Sequence, residues 1–120
     1  MSIANVTIQP VAQPALTAEQ RERLAVLADE LIAGGAGLPS ASGAEVPAQW
    51  IDRVMAVRAD LDAAVREVLD LEGEPAAVLA GLRADSPDLF TGFAFAVAGA
   101  YLINPRIRRE LGYPGPVPMK

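Results

Sequence analysis

Between Leu89 and Ile103 the chain carries no charged residue. An apolar run of this kind leaves few options. It crosses a membrane, or it becomes a helix that the rest of the chain must cover. At about fifteen residues it falls short of the roughly twenty that a bilayer requires, so it reads as a central core helix. Ser86-Pro87-Asp88 supplies the start: Ser86 is placed to cap, Pro87 loses no hydrogen bond at the first position, and Asp88 suits the helix dipole. Phe90, Phe93, Val97 and Tyr101 recur at helical spacing as a bulky stripe. Gly92, Ala96, Gly99 and Ala100 form a nearly bare face on which another backbone can lie closely. Phe95 and Leu102 belong to neither set, and burial on every side is therefore expected.

Asn104-Pro105 restarts the helix as cap and first residue. Arg106, Arg108 and Arg109 are interrupted by Ile107 and followed by Leu111, giving a basic edge and an apolar edge. Gly112 is a natural stop. The prolines of Tyr113-Pro-Gly-Pro-Val-Pro-Met-Lys exclude helix or central strand, so the tail is expected to be extended.

The preceding segments read as amphipathic helices. Thr17 and Gln20 have capping-box spacing ahead of a face formed by Leu24, Leu27, Ala28, Leu31 and Ile32, with Glu22, Arg23, Asp29 and Glu30 toward water. Gly34-Gly35 ends that helix. The Gly/Ser/Ala-rich loop to about Val46 has no phosphate-binding glycine pattern and reads as a flexible connection. Pro47 opens the next helix. From Trp50 through Val54, Val57, Leu61 and Val65 to Val68 the phase never breaks, which permits one helix to about Leu71, with Arg58-Ala-Asp60 the place for a kink. Trp50 reads as a core anchor. Gly73 and Pro75 set off a shorter helix with Val78, Leu79 and Leu82. The whole predicts an all-α bundle of five or six helices: an extended arm over 1–15, a helical domain over 16–112 and a proline-rich tail over 113–120.

Composition narrows the chemistry. The chain of 120 residues has a net charge of −5, which argues against a nucleic-acid partner. There is no cysteine and no histidine. Thiol chemistry, ordinary zinc sites and His-dependent nucleophiles are thereby excluded. A metal would need oxygen ligands, and the best local run, Asp70-x-Glu72-x-Glu74, has Pro75 where a calcium loop needs glycine. No catalytic, cofactor-binding or metal residue is nominated. The N-terminus shows neither an apolar leader nor a twin arginine, so a cytoplasmic location is expected.

The residues LTAEQRERLAVLADELIA at 16–33, Val46 to Arg53, and above all Tyr101-x-x-Asn-Pro-x-x-Arg with Leu111-Gly-Tyr-Pro-Gly-Pro116 resemble the gluconate 2-dehydrogenase subunit 3-like family. The resemblance covers most of the chain from Leu16 onward. It implies a non-catalytic small subunit that aids the folding, stability or export of a large flavoprotein of the glucose–methanol–choline type. FAD is then expected in the partner and no cofactor in this chain. Partner-interface candidates are Tyr101, Asn104, Arg106, Arg108, Arg109, Tyr113, Pro114 and Pro116. Two other readings stand beside it. One is a self-contained homo-oligomeric helical adaptor unrelated to flavoenzymes. The other is a ligand-binding protein with a pocket at Trp50, Phe93 and Tyr101.

Overall fold

The computed structural model describes residues 15–112; the N-terminal arm as far as residue 14, and Tyr113, Pro114 and Pro116 with the rest of the tail, lie outside them. The described residues form six α-helices and no β-strand: α1 (Ala18–Leu31), α2 (Ile51–Val57), α3 (Ala59–Leu69), α4 (Pro75–Asp85), α5 (Pro87–Leu102) and α6 (Pro105–Glu110). The all-α bundle predicted from periodicity is the fold observed.

Helix α5 is its axis. It packs against every other helix and against the turn that precedes α2. Phe93, Ala96, Val97 and Ala100 are wholly buried, and Tyr101 is nearly so. The bare face works as expected. A methyl built on Gly92 would lie 3.2 Å from Ala64 Cβ of α3, and one on Gly99 would lie 3.7 Å from Val54 Cγ2 of α2. The contact order along α5 is the reverse of the order along α2 and α3, so the pair runs antiparallel to it. Glycine at 92 lets two backbones approach more closely than larger side chains permit.

Burial on every side does not hold. Phe95 is 60% exposed and Leu102 43%, so one face of α5 is open to solvent. An apolar sequence cannot say how a helix is rotated, and the surrounding helices cover only part of its circumference.

The unbroken phase from Trp50 to Val68 resolves into two helices. Arg58 is extended (φ −129°, ψ 94°) and separates α2 from α3. Its guanidinium holds both carboxylate oxygens of Asp60, at 2.9 and 2.8 Å. That contact keeps the exposed Asp60 carboxyl below its ordinary pKa. On either side of the break, α2 reaches Gly99 and α3 reaches Gly92, so both halves lie along α5.

Pro47 does not open a regular helix. Val46–Trp50 is a single wide turn in which Ala48 lies outside the helical region (φ −97°, ψ −119°). The carbonyls of Pro47 and Ala48 accept from Arg21 Nη1 at 2.9 and 3.2 Å. Arg21 also pairs with Asp52 at 3.2 Å, tying α1 to the entrance of α2.

The helix ends divide into legible and illegible ones. The Thr17/Gln20 capping box is present in full, and Asn104 Oδ1 accepts from the Arg106 N–H at 2.9 Å. Ser86 makes no side-chain cap. It is at once the C-cap of α4 and the N-cap of α5, and its φ/ψ (−140°, 64°) departs from the extended N-cap conformation that aims the hydroxyl at the free N–H groups. Arg23 and Asp29 also differ from expectation. Arg23 Nη2 donates to the carbonyls of Leu71 and Gly73, each at 2.9 Å, holding the turn that follows α3. Asp29 is bound to the loop that follows its own helix.

Candidate interaction surface

The loop after α1 is pinned along its length. Asp29 accepts the Ser42 N–H and hydroxyl, both at 2.7 Å. The Tyr101 hydroxyl donates to the Pro39 carbonyl at 2.7 Å, and Asn104 Nδ2 donates to the Ala44 carbonyl at 3.0 Å. Ala41 and Ala44 are completely buried. The expected flexible connection is thus a fitted layer under the end of α5. Its small residues are there because larger ones would not fit between α1 and the Tyr101–Asn104 segment.

This arrangement places the candidate residues in two groups. Tyr101 and Asn104 face inward, 6% exposed each, with their polar atoms committed to the chain's own loop. Ile107 anchors α6 with no exposed surface. The result is a short helix bolted at its start and middle, with Arg106, Arg108 and Arg109 facing solvent. None of the three guanidinium groups forms an ion pair with a described residue. Between Leu89 and Gly112 the only acid is Glu110, set against those three arginines. The most basic stretch of an acidic protein is therefore held rigidly outward.

Apolar exposure gathers along the same stretch. Phe95, Leu102, Ile103 and Leu111 are all exposed, whereas Val26, Val57 and Leu71 are the large apolar side chains exposed elsewhere among the described residues. Leu111, expected on the apolar edge of α6, stays 38% exposed while Ile107 alone is buried.

The pocket reading finds little to stand on. Phe93 is inaccessible, Tyr101 is bound to Pro39, and Trp50 is half-buried at the rim of the core beneath Arg53, whose guanidinium lies 5.2 Å from the ring centroid. Trp50 Nε1 is buried without an acceptor, and nothing in the structure explains it. A shallow open groove of about 470 Å³ lies between the start of α1 and the end of α3. It includes Asp70 and Glu72, but Arg23 crosses it to reach the Leu71 and Gly73 carbonyls. Among the described residues, no three acidic side chains converge as a metal site would require.

The Tyr101 bolt predicts a pH effect. Burial raises the phenol above its ordinary value of 10.0, with Arg106 opposing and Glu110 assisting. A group whose pKa is raised by folding contributes stability that is complete below the unfolded value and is lost as pH rises through the folded one. Stability should therefore hold up to about pH 10, the ordinary tyrosine value, and fall as pH rises above it. Tyr101→Phe removes the titration and leaves the Pro39 carbonyl unpaired, costing about 1–2 kcal/mol near neutrality. Urea unfolding across that range tests both points: wild type declines, the variant starts lower and declines less. Parallel declines would show that the phenol is not the titrating group.

The protein these features define is a small all-α bundle with a rigid basic helix and an open apolar helix face. Compared with known protein families, with characterised proteins and with solved structures, the chain finds no match in any of the three. No described helix is long and apolar enough to cross a membrane.

Proposed function

We propose that this chain is a non-catalytic small subunit that binds and stabilises a large FAD-dependent sugar or alcohol oxidoreductase in the cytoplasm. FAD belongs to the partner in this reading, and this chain holds no cofactor. The observation that supports it most is the division of labour within the motif on which the resemblance to the gluconate 2-dehydrogenase subunit 3-like family rests. Tyr101 and Asn104 fix α6 to the bundle, and Arg106, Arg108 and Arg109 are presented outward beside exposed Ile103 and Leu111. A planar guanidinium recognises carboxylates through paired hydrogen bonds, and arginine is enriched where proteins meet. An acidic patch on the large subunit is the matching surface.

The test is affinity purification from the native host with the tag at the N-terminus. A yellow, flavin-bearing large protein in fixed ratio is the expected companion, and the Arg106→Glu/Arg109→Glu double variant should release it while keeping its helical content. A chain that emerges alone, soluble and folded, would end the obligate-subunit reading. The alternative, a self-contained homo-oligomeric helical adaptor, gains from the open face of α5, which bears on self-association whichever reading holds.

A further inference from the structure

Every third or fourth residue on the open side of α5 lies at the surface. Asp88, Thr91, Phe95 and Leu102 are exposed and Ala98 is half-buried. Their spacing of three, four, three and four is that of a coiled-coil seam, the pattern by which one helix lies along another. Gly92 and Gly99, three residues before and four after Phe95, set α3 and α2 along one flank of this seam, and the seam's own side chains have no occupant among the described residues.

We propose that the occupant is a second copy of this chain, paired antiparallel through α5 about a two-fold axis at Phe95. Three observations favour this occupant and this direction. Phe95 stands at the middle of the helix, so a two-fold there puts the two largest exposed rings on each other and sets Asp88 and Thr91 across from Leu102 and Ala98. An isologous interface requires that kind of self-complementarity. The charges also match only one way. Asp88 lies in the first turn of α5 with Asp85 just ahead of it at the end of α4, and Arg106, Arg108 and Arg109 follow the end of α5, all exposed. An antiparallel pair brings each acidic end toward a basic one, whereas a parallel pair sets like beside like. The helix dipoles oppose each other in the same arrangement. Finally, the centre of the seam carries no charge between Asp88 and Leu102.

A single helix-on-helix contact of sixteen residues lies at the small end of interface sizes, so the dimer should be weak and concentration-dependent. It does not depend on the identity of any larger partner.

Sedimentation equilibrium of the purified full chain tests it. The apparent mass should rise from 12.5 kDa toward twice that value with concentration, and Phe95→Glu should stay monomeric throughout with an unchanged circular-dichroism spectrum. Because the chain has no cysteine, direction can be read separately. Asp88→Cys and Leu102→Cys chains, oxidised each alone, should remain uncrosslinked, and a mixture of the two should give a disulfide-linked dimer. Wild type that stays monomeric up to about 0.5 mM would overturn the proposal, since weak specific pairs associate well below that. So would a dimer indifferent to Phe95→Glu, or homodisulfides from each single variant, which would mean a parallel pair. If Phe95→Glu leaves the mass unchanged but releases a flavoprotein bound by wild type, the face belongs to that protein and the dimer is refuted.

Discussion

Replacing Phe93 with alanine should lower the free energy of unfolding by about 3–5 kcal/mol, a large part of the 5–15 kcal/mol typical of a small domain. Phe93 heads the fully buried side chains by size, on the one helix that touches all the others. The loss has two parts: apolar surface no longer removed from water, and the cavity left behind. The second part should be nearly undiminished, because α5 has little room to shift. Beside Phe93, Gly92 already brings the backbone of α5 against Ala64, so collapse into the cavity would push α5 into α3. Phe95→Ala is the matched control. The ring is the same and the position two residues further on, but at 60% exposure its loss should cost less than about 1 kcal/mol. Urea unfolding at about 1 μM protein keeps any self-association out of the comparison. Equal costs at the two positions would mean that α5 is rotated differently from the arrangement described.

That contrast also marks where the sequence stops being informative. Phe93 and Phe95 sit in the same uncharged run, and composition treats them alike. Only the position of α2 and α3 makes one of them core and the other surface. Local signals were legible. The Thr17/Gln20 box, the Asn104 cap and the Gly112 stop each depend on residues within a turn or so, and each forms. Distant signals were not. The loop over residues 34–45 reads as flexible because its glycines and serines set no periodicity, yet it is fixed by Tyr101 and Asn104, some sixty residues away. The break at Arg58 has neither glycine nor proline to announce it. It goes with the contacts that the two halves make far from it in sequence, Val54 of α2 at Gly99 and Ala64 of α3 at Gly92. Ser86 carries the right pattern for a cap and fails to act as one, because two helices meet at that residue. For the candidate surface the pattern repeats: the arginines of α6 were legible as a basic edge, but the inward roles of Tyr101 and Asn104 depend on the loop they hold.

Gly34→Ala should be the most damaging single-methyl change in the chain, at about 2–4 kcal/mol. Gly34 has φ +92°, where an L-residue is strained, and that contribution alone is worth about 1–2 kcal/mol. Its neighbourhood adds more. A Cβ there would lie 2.8 Å from the Ser40 backbone nitrogen and 3.1 Å from the Pro39 carbonyl carbon. Backbone atoms cannot rotate aside as a side chain does, so the loop itself must move. That movement acts on the carbonyls of Pro39 and Ala44, which receive Tyr101 and Asn104, and on Ala41, whose N–H donates to Ile32 at 2.9 Å. Gly37→Ala separates the two contributions. Gly37 has nearly the same φ, +87°, but nothing within 4 Å of the added carbon, so only the conformational strain of about 1–2 kcal/mol should remain. Hydrogen exchange at Ala41 gives a second readout: protection should drop sharply in the Gly34 variant and stay near wild type in the Gly37 variant. If both variants lose the same stability and both retain Ala41 protection, the close approach of Gly34 to the 38–40 backbone does not constrain the loop. The pinning of α6 would then rest on the Tyr101 and Asn104 hydrogen bonds alone.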